Sequence, residues 1–73
     1  MKIISWNINS VRLRLPLLLK LIAETNAEVI CLQETKTPDE HFPFQALMDA
    51  GYPYIEFRGE KSYNGVAIIS KTP

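Results

Sequence analysis

The chain is poor in the features that identify several common classes of protein. Its 73 residues include a single cysteine, Cys31, so no internal disulfide framework can form. Glycine is scarce as well, at 3 residues, and neither standard type of glycine-rich phosphate-binding loop is present. We expect one small domain spanning residues 1–73, in a reducing compartment.

An excess of one charge and a long hydrophobic run are also lacking. Lys and Arg together number 8, as do Asp and Glu, so the net charge is zero and shows none of the basic excess usual in nucleic-acid-binding proteins. The most apolar stretch, residues 11–22, is interrupted by Arg12, Arg14, Pro16 and Lys20, and it is too short to span a bilayer. No targeting segment is visible. We therefore expect a cytoplasmic location and no membrane partner.

The first half of the chain has a strand–helix–strand pattern. The β-branched and aromatic residues over 2–8 predict a strand. Pro16 suits the first turn of a helix, and apolar residues then recur at helical spacing as far as Thr25. Residues 28–34 are apolar in their middle, which is typical of a strand covered on both faces. A crossover through the helix makes the two strands parallel.

A second helix is predicted by a capping pattern. Thr37 stands at the cap, Pro38 at the first helical position and Glu40 three residues after the cap. The pattern predicts a short helix over residues 38–50, with Pro43 as a point of interruption.

Two further strands complete the predicted fold. Residues 52–58 alternate between polar and apolar side chains, and residues 65–70 are mostly apolar, so we expect an antiparallel hairpin. The order β-α-β-α-β-β gives an α/β fold with one mixed sheet. Its two helices suffice to cover one face of that sheet.

Two polar side chains fall where the parallel strands end. Asn7 lies near the end of the first strand and Glu34 at the end of the second, and such ends meet at one edge of an open sheet. Alternation predicts that Asn7 shares a face with Ser5 and that Glu34 shares a face with Leu32. An amide oxygen and a carboxylate that converge on one point suit Mg²⁺. A solvated or loop-capping role for both residues stays open.

Basic, aromatic and amide residues form a second group, and all of them lie in predicted loops. They are Arg12, Arg14, Lys36, Lys61, Tyr63 and Asn64. The first three follow strand ends on one rim of the sheet, so a neutral chain can still present a cationic rim to phosphates. An ordinary solvated loop is the alternative, and Asn64 followed by Gly65 also suits a hairpin turn.

Three segments in the same order carry a family resemblance: residues 6–12, 29–36 and 63–68. Together they resemble the exonuclease III family of AP endonucleases, within the endonuclease/exonuclease/phosphatase superfamily. The Leu-Gln-Glu-Thr-Lys run at residues 32–36 is the most specific part. The resemblance implies that the chain is the N-terminal part of a DNase I-like four-layer α/β sandwich.

The resemblance also implies a function and a set of site residues. The function is that of an exodeoxyribonuclease III: a phosphodiesterase that uses Mg²⁺ (or Mn²⁺) and acts on duplex DNA at abasic sites and 3′ ends during base excision repair. Glu34 matches the family's metal-ligand glutamate, and Asn7 matches the asparagine beside it. The positions matched to DNA contacts are Arg12, Lys36, Lys61, Tyr63 and Asn64.

Further residues of the family's site have no match in this sequence. They are a tyrosine, an Asp-X-Asn pair and an Asp-His pair, and His41 has a different sequence context. We therefore expect an N-terminal fragment that is inactive alone and able to self-associate through its uncovered sheet. Two other interpretations stay open: a superfamily member acting on a phosphodiester other than DNA, and a non-enzymatic α/β fragment.

Overall fold

The computed structural model describes residues 1–59 and 64–73, which form one sheet with helices on one side. Strand β1 (Ile3–Asn7) leads through helix α1 (Leu15–Thr25) to strand β2 (Val29–Gln33). A 3₁₀ turn (Asp39–His41) and helix α2 (Phe44–Asp49) precede strands β3 (Tyr54–Arg58) and β4 (Val66–Ser70). The predicted α/β fold is confirmed.

The sheet is mixed, and its strand order is β1-β2-β4-β3. Strands β1 and β2 are parallel, and Asn7 lies beside Gln33. Strand β4 runs antiparallel to both of its neighbours, so the expected β3–β4 pairing is confirmed. Because β4 runs antiparallel to β2, with Val66 opposite Gln33, the residues that lead into β4 enter the sheet at the same edge where β1 and β2 end.

The predicted helix over residues 38–50 is wrong in its first half. Residues 39–41 form a 3₁₀ turn and α2 starts only at Phe44. The residue before a proline is disfavoured in helical conformation, and Phe42, which precedes Pro43, is extended with φ −62° and ψ 135°. Extension directs the buried Phe42 ring onto Phe57, with 4.4 Å between the ring centroids. The interruption at Pro43 is confirmed.

The capping box expected at Thr37 is also wrong. No side chain of the described residues caps the turn, and Thr37 is itself buried. Asp39 instead accepts a hydrogen bond from the backbone N–H of Gly59, at 2.7 Å. This contact ties the segment after β2 to the end of β3.

The covered face of the sheet carries the hydrophobic core. Strand residues Ile30, Leu32 and Ile69 are fully or almost fully buried there, together with Leu18 of α1 and Leu47 of α2. Burial of side chains of this size stabilises the fold by about 1.5–3 kcal/mol each. The core therefore fixes the strands whose ends carry the polar residues.

The opposite face of the sheet is open in the described part of the chain. Apolar side chains on it are largely exposed: Ile3, Tyr54, Val66 and Ile68. Self-association through this face stays a prediction from the sequence.

Among the residues that the structure describes, no helix has the length and hydropathy needed to cross a membrane.

Backbone hydrogen bonds join three chain segments at the edge where β1 and β2 end. These are the segments that follow β1, follow β2 and precede β4. After β1, the N–H groups of Ser10 and Val11 donate to the carbonyls of Glu34 and Thr35, each at 2.9 Å. The N–H of Thr35 donates to Gly65 at 3.2 Å, and that of Lys36 donates to Asn64 at 2.8 Å. Residues far apart in sequence thus form one hydrogen-bonded layer over the strand ends.

Gly65 permits the closest approach within this layer. Its φ is +91°, and a Cβ atom there would lie 2.2 Å from Thr35 Oγ1. Gly51 has a similar φ of +104°, but a Cβ atom there would have no neighbour within 4 Å among residues 1–59 and 64–73. The two glycines therefore share a backbone requirement and differ in crowding.

We predict that Gly65→Ala destabilises the fold more than Gly51→Ala. Both variants force a non-glycine residue into a disfavoured conformation, and only Gly65→Ala adds an overlap with Thr35, which costs about 1–3 kcal/mol further. Urea unfolding of both variants measures the difference. Equal losses of stability would show that the approach of Thr35 does not constrain this position.

The Tyr52 side chain is buried, and its hydroxyl donates a hydrogen bond to the Ala27 carbonyl at 2.5 Å. Burial raises the pKa of this phenol above its usual 10.0. The folded chain therefore keeps the proton to higher pH than the unfolded chain does. The resulting stabilisation is complete below the unfolded pKa and is lost as pH rises through the folded pKa.

Urea unfolding between pH 8 and pH 11.5 tests this expectation. The free energy of unfolding should fall above about pH 10, and Tyr52→Phe should flatten that fall. The same variant should cost about 1–3 kcal/mol at neutral pH, because the Ala27 carbonyl loses its partner. Tyr54→Phe is the matched control, since Tyr54 is exposed. An unchanged slope in Tyr52→Phe would contradict the assignment.

Candidate functional site

The candidate site lies at the carboxyl ends of the parallel strands β1 and β2. Asn7 is the last residue of β1, and its register partner Gln33 is the last residue of β2. The Gln33 side chain donates to Ser5 Oγ at 3.1 Å, so residues 5, 7 and 33 share the open face. Ligand sites of open α/β sheets form at strand ends of this kind.

Glu34 reaches Asn7 because the chain leaves the strand geometry at that residue. Strand alternation predicted that Glu34 shares the covered face with Leu32, away from Asn7. This prediction is wrong. Strand β2 ends at Gln33, and Glu34 adopts a left-handed φ of +53°. Asn7 Nδ2 then donates a hydrogen bond to Glu34 Oε2 at 2.6 Å.

The other carboxylate oxygen of Glu34 faces a lysine. Lys36 Nζ lies 3.6 Å from Glu34 Oε1, and it donates a hydrogen bond to Asn9 Oδ1 at 2.5 Å. The Lys36 and Glu34 side chains are 31% and 42% exposed, so the pair is accessible from solvent. Four side chains therefore form one network, in the order Asn7, Glu34, Lys36 and Asn9.

Left-handed backbone is concentrated at this edge of the sheet. Five of the described non-glycine residues there have positive φ: Asn9 (51°), Ser10 (87°), Glu34 (53°), Lys36 (52°) and Asn64 (58°). Such conformations are uncommon outside glycine and cost of order 1–3 kcal/mol each. The backbone hydrogen bonds that join the three segments hold these residues in place. Strain of this kind is typical of functional sites.

The five predicted DNA contacts lie in different surroundings. Arg12 is exposed between β1 and α1, and its guanidinium makes no hydrogen bond or ion pair with the described residues. Lys36 belongs to the network with Glu34. Asn64 is exposed, and its carbonyl accepts the N–H of Lys36. Lys61 and Tyr63 lie outside the described residues. Contact with DNA stays a prediction for all five.

The remaining rim residue, Arg14, is half-buried and precedes the first residue of α1. Asn9 also belongs to the network, although it is not among the site residues predicted from the sequence. The sequence indicates only that Asn9 lies two residues after Asn7, beyond the end of the same strand. It does not indicate that the Asn9 side chain accepts a hydrogen bond from Lys36.

The donors present fit a divalent cation only in part. Glu34 is the one carboxylate in the network, and the described residues hold no group of three or more His, Cys, Asp or Glu side chains close enough to share a metal ion. Mg²⁺ is commonly held by one or two carboxylates, several waters and substrate phosphates. The Asn7 amide presents Nδ2 to the carboxylate, so Asn7 orients Glu34. Direct ligation by Asn7 Oδ1 stays a prediction.

Comparison with known proteins gives relatives over nearly the whole chain. Exodeoxyribonuclease III of Haemophilus influenzae is 41% identical over 71 residues, covering 97% of this chain and 26% of the relative. An exodeoxyribonuclease of Bacillus subtilis is 38% identical over 73 residues, covering 97% of this chain and 28% of the relative. The chain thus spans about a quarter of the length of these curated relatives.

Solved structures show the same fold in longer proteins. A 3′ phosphatase, NExo from Neisseria, bound to a product DNA hairpin, superposes with a TM-score of 0.94 at 41% identity, over 100% of this chain and 28% of that protein. An AP endonuclease from Archaeoglobus fulgidus gives 0.87 at 38% identity, over 93% and 26%. The sequence profile of the Endonuclease/Exonuclease/phosphatase family matches residues 4–73. The chain belongs to this family.

Proposed function

We propose that this chain contributes part of the catalytic site of a metal-dependent DNA-repair phosphodiesterase. The observation that carries the proposal is the hydrogen bond between Asn7 Nδ2 and Glu34 Oε2, at the ends of the two parallel strands. The family membership of the chain supports the reaction class. The substrate would be duplex DNA at abasic sites or 3′ ends.

Glu34 would be the carboxylate ligand of Mg²⁺ or Mn²⁺. Its carboxylate is accessible, and Asn7 orients it toward the open face of the sheet. A divalent cation bound there would polarise a phosphoryl oxygen and stabilise the leaving oxygen. Because Asn7 ends a strand that is paired in parallel with β2, its amide offers the Glu34 carboxylate a donor from a fixed position.

Cationic and polar residues around the network would contact the DNA backbone. Arg12 is exposed and unpaired among the described residues, which leaves its guanidinium free for a phosphate. Lys36, Lys61, Tyr63 and Asn64 are the other proposed contacts. Relatives named as an exodeoxyribonuclease, an AP endonuclease and a 3′ phosphatase support DNA as the substrate. Contacts of this kind position a duplex without reading its sequence.

We further propose that the 73-residue chain does not cleave DNA by itself. One carboxylate holds a divalent cation weakly, and no described side chain near Glu34 is suited to act as a general base. His41 lies in the 3₁₀ turn at residues 39–41 and makes no hydrogen bond with the network of Asn7 and Glu34. The chain would then provide metal and phosphate contacts without completing the reaction.

We predict that Mn²⁺ binds beside Glu34. In a titration followed by ¹H–¹⁵N NMR, the paramagnetic ion should broaden the amide signals of residues 7 and 33–36 before those at the opposite end of the sheet. Glu34→Gln removes the charge with little change in shape and should abolish the selective broadening. Glu28→Gln is the control for loss of one acidic charge elsewhere. Broadening that survives in Glu34→Gln would contradict the assigned ligand.

A cleavage assay tests the activity of the chain. With Mg²⁺ and a duplex containing one abasic site, we expect no product above a protein-free control. Cleavage that Glu34→Gln removes would contradict the proposed inactivity and support the site. Cleavage that Glu34→Gln leaves unchanged would contradict the site. Hydrolysis of a non-nucleic-acid phosphodiester alone would favour the alternative branch of the family.

A further inference from the structure

We propose that the Lys36 ammonium occupies the cation position beside Glu34, and that a divalent ion must displace this ammonium in order to bind. This inference rests on the proposed metal site. It starts from the pairing of both carboxylate oxygens: Asn7 Nδ2 lies 2.6 Å from Oε2, and Lys36 Nζ lies 3.6 Å from Oε1. The Glu34 carboxylate is therefore already oriented by one donor and neutralised by one cation.

Charge determines whether a metal ion at Glu34 displaces Asn7 or Lys36. A divalent cation on Oε1 would lie within a few ångströms of the Lys36 ammonium, and two positive charges at that separation repel each other. Asn7 is neutral, and its amide belongs to a short side chain at the end of a strand. Lys36 is the group that repels the incoming ion and the group with the longer, more flexible stem.

The other contact of Lys36 permits this displacement. Its ammonium also donates to Asn9 Oδ1, a neutral amide oxygen, which lies outside the described strands. An ammonium that leaves Glu34 can keep this acceptor, so it does not lose every partner. Because the Lys36 side chain is 31% exposed, water is available to complete its hydrogen bonds.

The consequence is that Lys36 lowers the affinity of the site for divalent cations. Without a metal, the Glu34–Lys36 pair carries no net charge. With a metal, the ammonium is released beside a positively charged centre, where an anionic group would find two cations instead of one. Metal binding would thus replace the ammonium at Glu34 with the metal ion. It would also increase the positive charge available to bind an anion.

The test is the affinity of the full chain for Mn²⁺, measured by isothermal titration calorimetry and by the NMR broadening at residues 33–36. Lys36→Met keeps the length of the stem and removes the charge, and it should tighten Mn²⁺ binding roughly fivefold or more. Lys36→Arg keeps the charge and should bind no more tightly than the unmodified chain. Lys20→Met is the matched control, because Lys20 is exposed on α1 and is absent from the network.

Each outcome separates this inference from the proposed metal site. If the unmodified chain binds Mn²⁺ through Glu34 and Lys36→Met binds equally or more weakly, the displacement is wrong and the metal site stands. If binding is absent in every variant, or survives in Glu34→Gln, the metal site is wrong and the inference falls with it. Equal tightening in Lys20→Met would assign the effect to net charge. Circular dichroism of each variant confirms the fold.

Discussion

The left-handed conformation of Glu34 is the constraint on which the candidate site depends. Regular alternation would separate the side chains of residues 7 and 34 by the thickness of the sheet. A single residue with φ of +53°, directly after β2, brings the carboxylate to within 2.6 Å of the Asn7 amide. The cost of that conformation is met by neighbouring backbone hydrogen bonds, including the one that the Glu34 carbonyl accepts from Ser10.

Much of the scaffold could be predicted from the sequence because it depends on local pattern. The four strands and helix α1 follow the apolar pattern of the sequence, and α1 ends at the predicted Thr25, with Asn26 in left-handed conformation after it. The error at α2 has a local origin too. The capping signal at Thr37 competed with the extension that Pro43 imposes on Phe42, and stacking on Phe57 favoured extension.

The site was less predictable, because its geometry depends on contacts between distant segments. The pairing of residues 7 and 34 was expected, but the sequence predicted the wrong face for Glu34. Five of the described non-glycine residues at this edge adopt positive φ, and no local preference of Glu or Lys favours that conformation. The part played by Asn9 is visible only once Lys36 is placed beside it. The family resemblance identified the residues without giving their arrangement.

The insertion of β4 between β2 and β3 has a consequence for the order in which the molecule is completed. Asn7 and Glu34 belong to the first half of the chain, yet the N–H groups of Thr35 and Lys36 find their acceptors at Gly65 and Asn64. A partly folded chain in which only the first two strands have paired would hold both polar side chains while leaving the turn at residues 34–36 unsupported. The first half of the chain therefore supplies the polar side chains of the site, and the residues that lead into β4 supply the hydrogen bonds that hold the turn beside them.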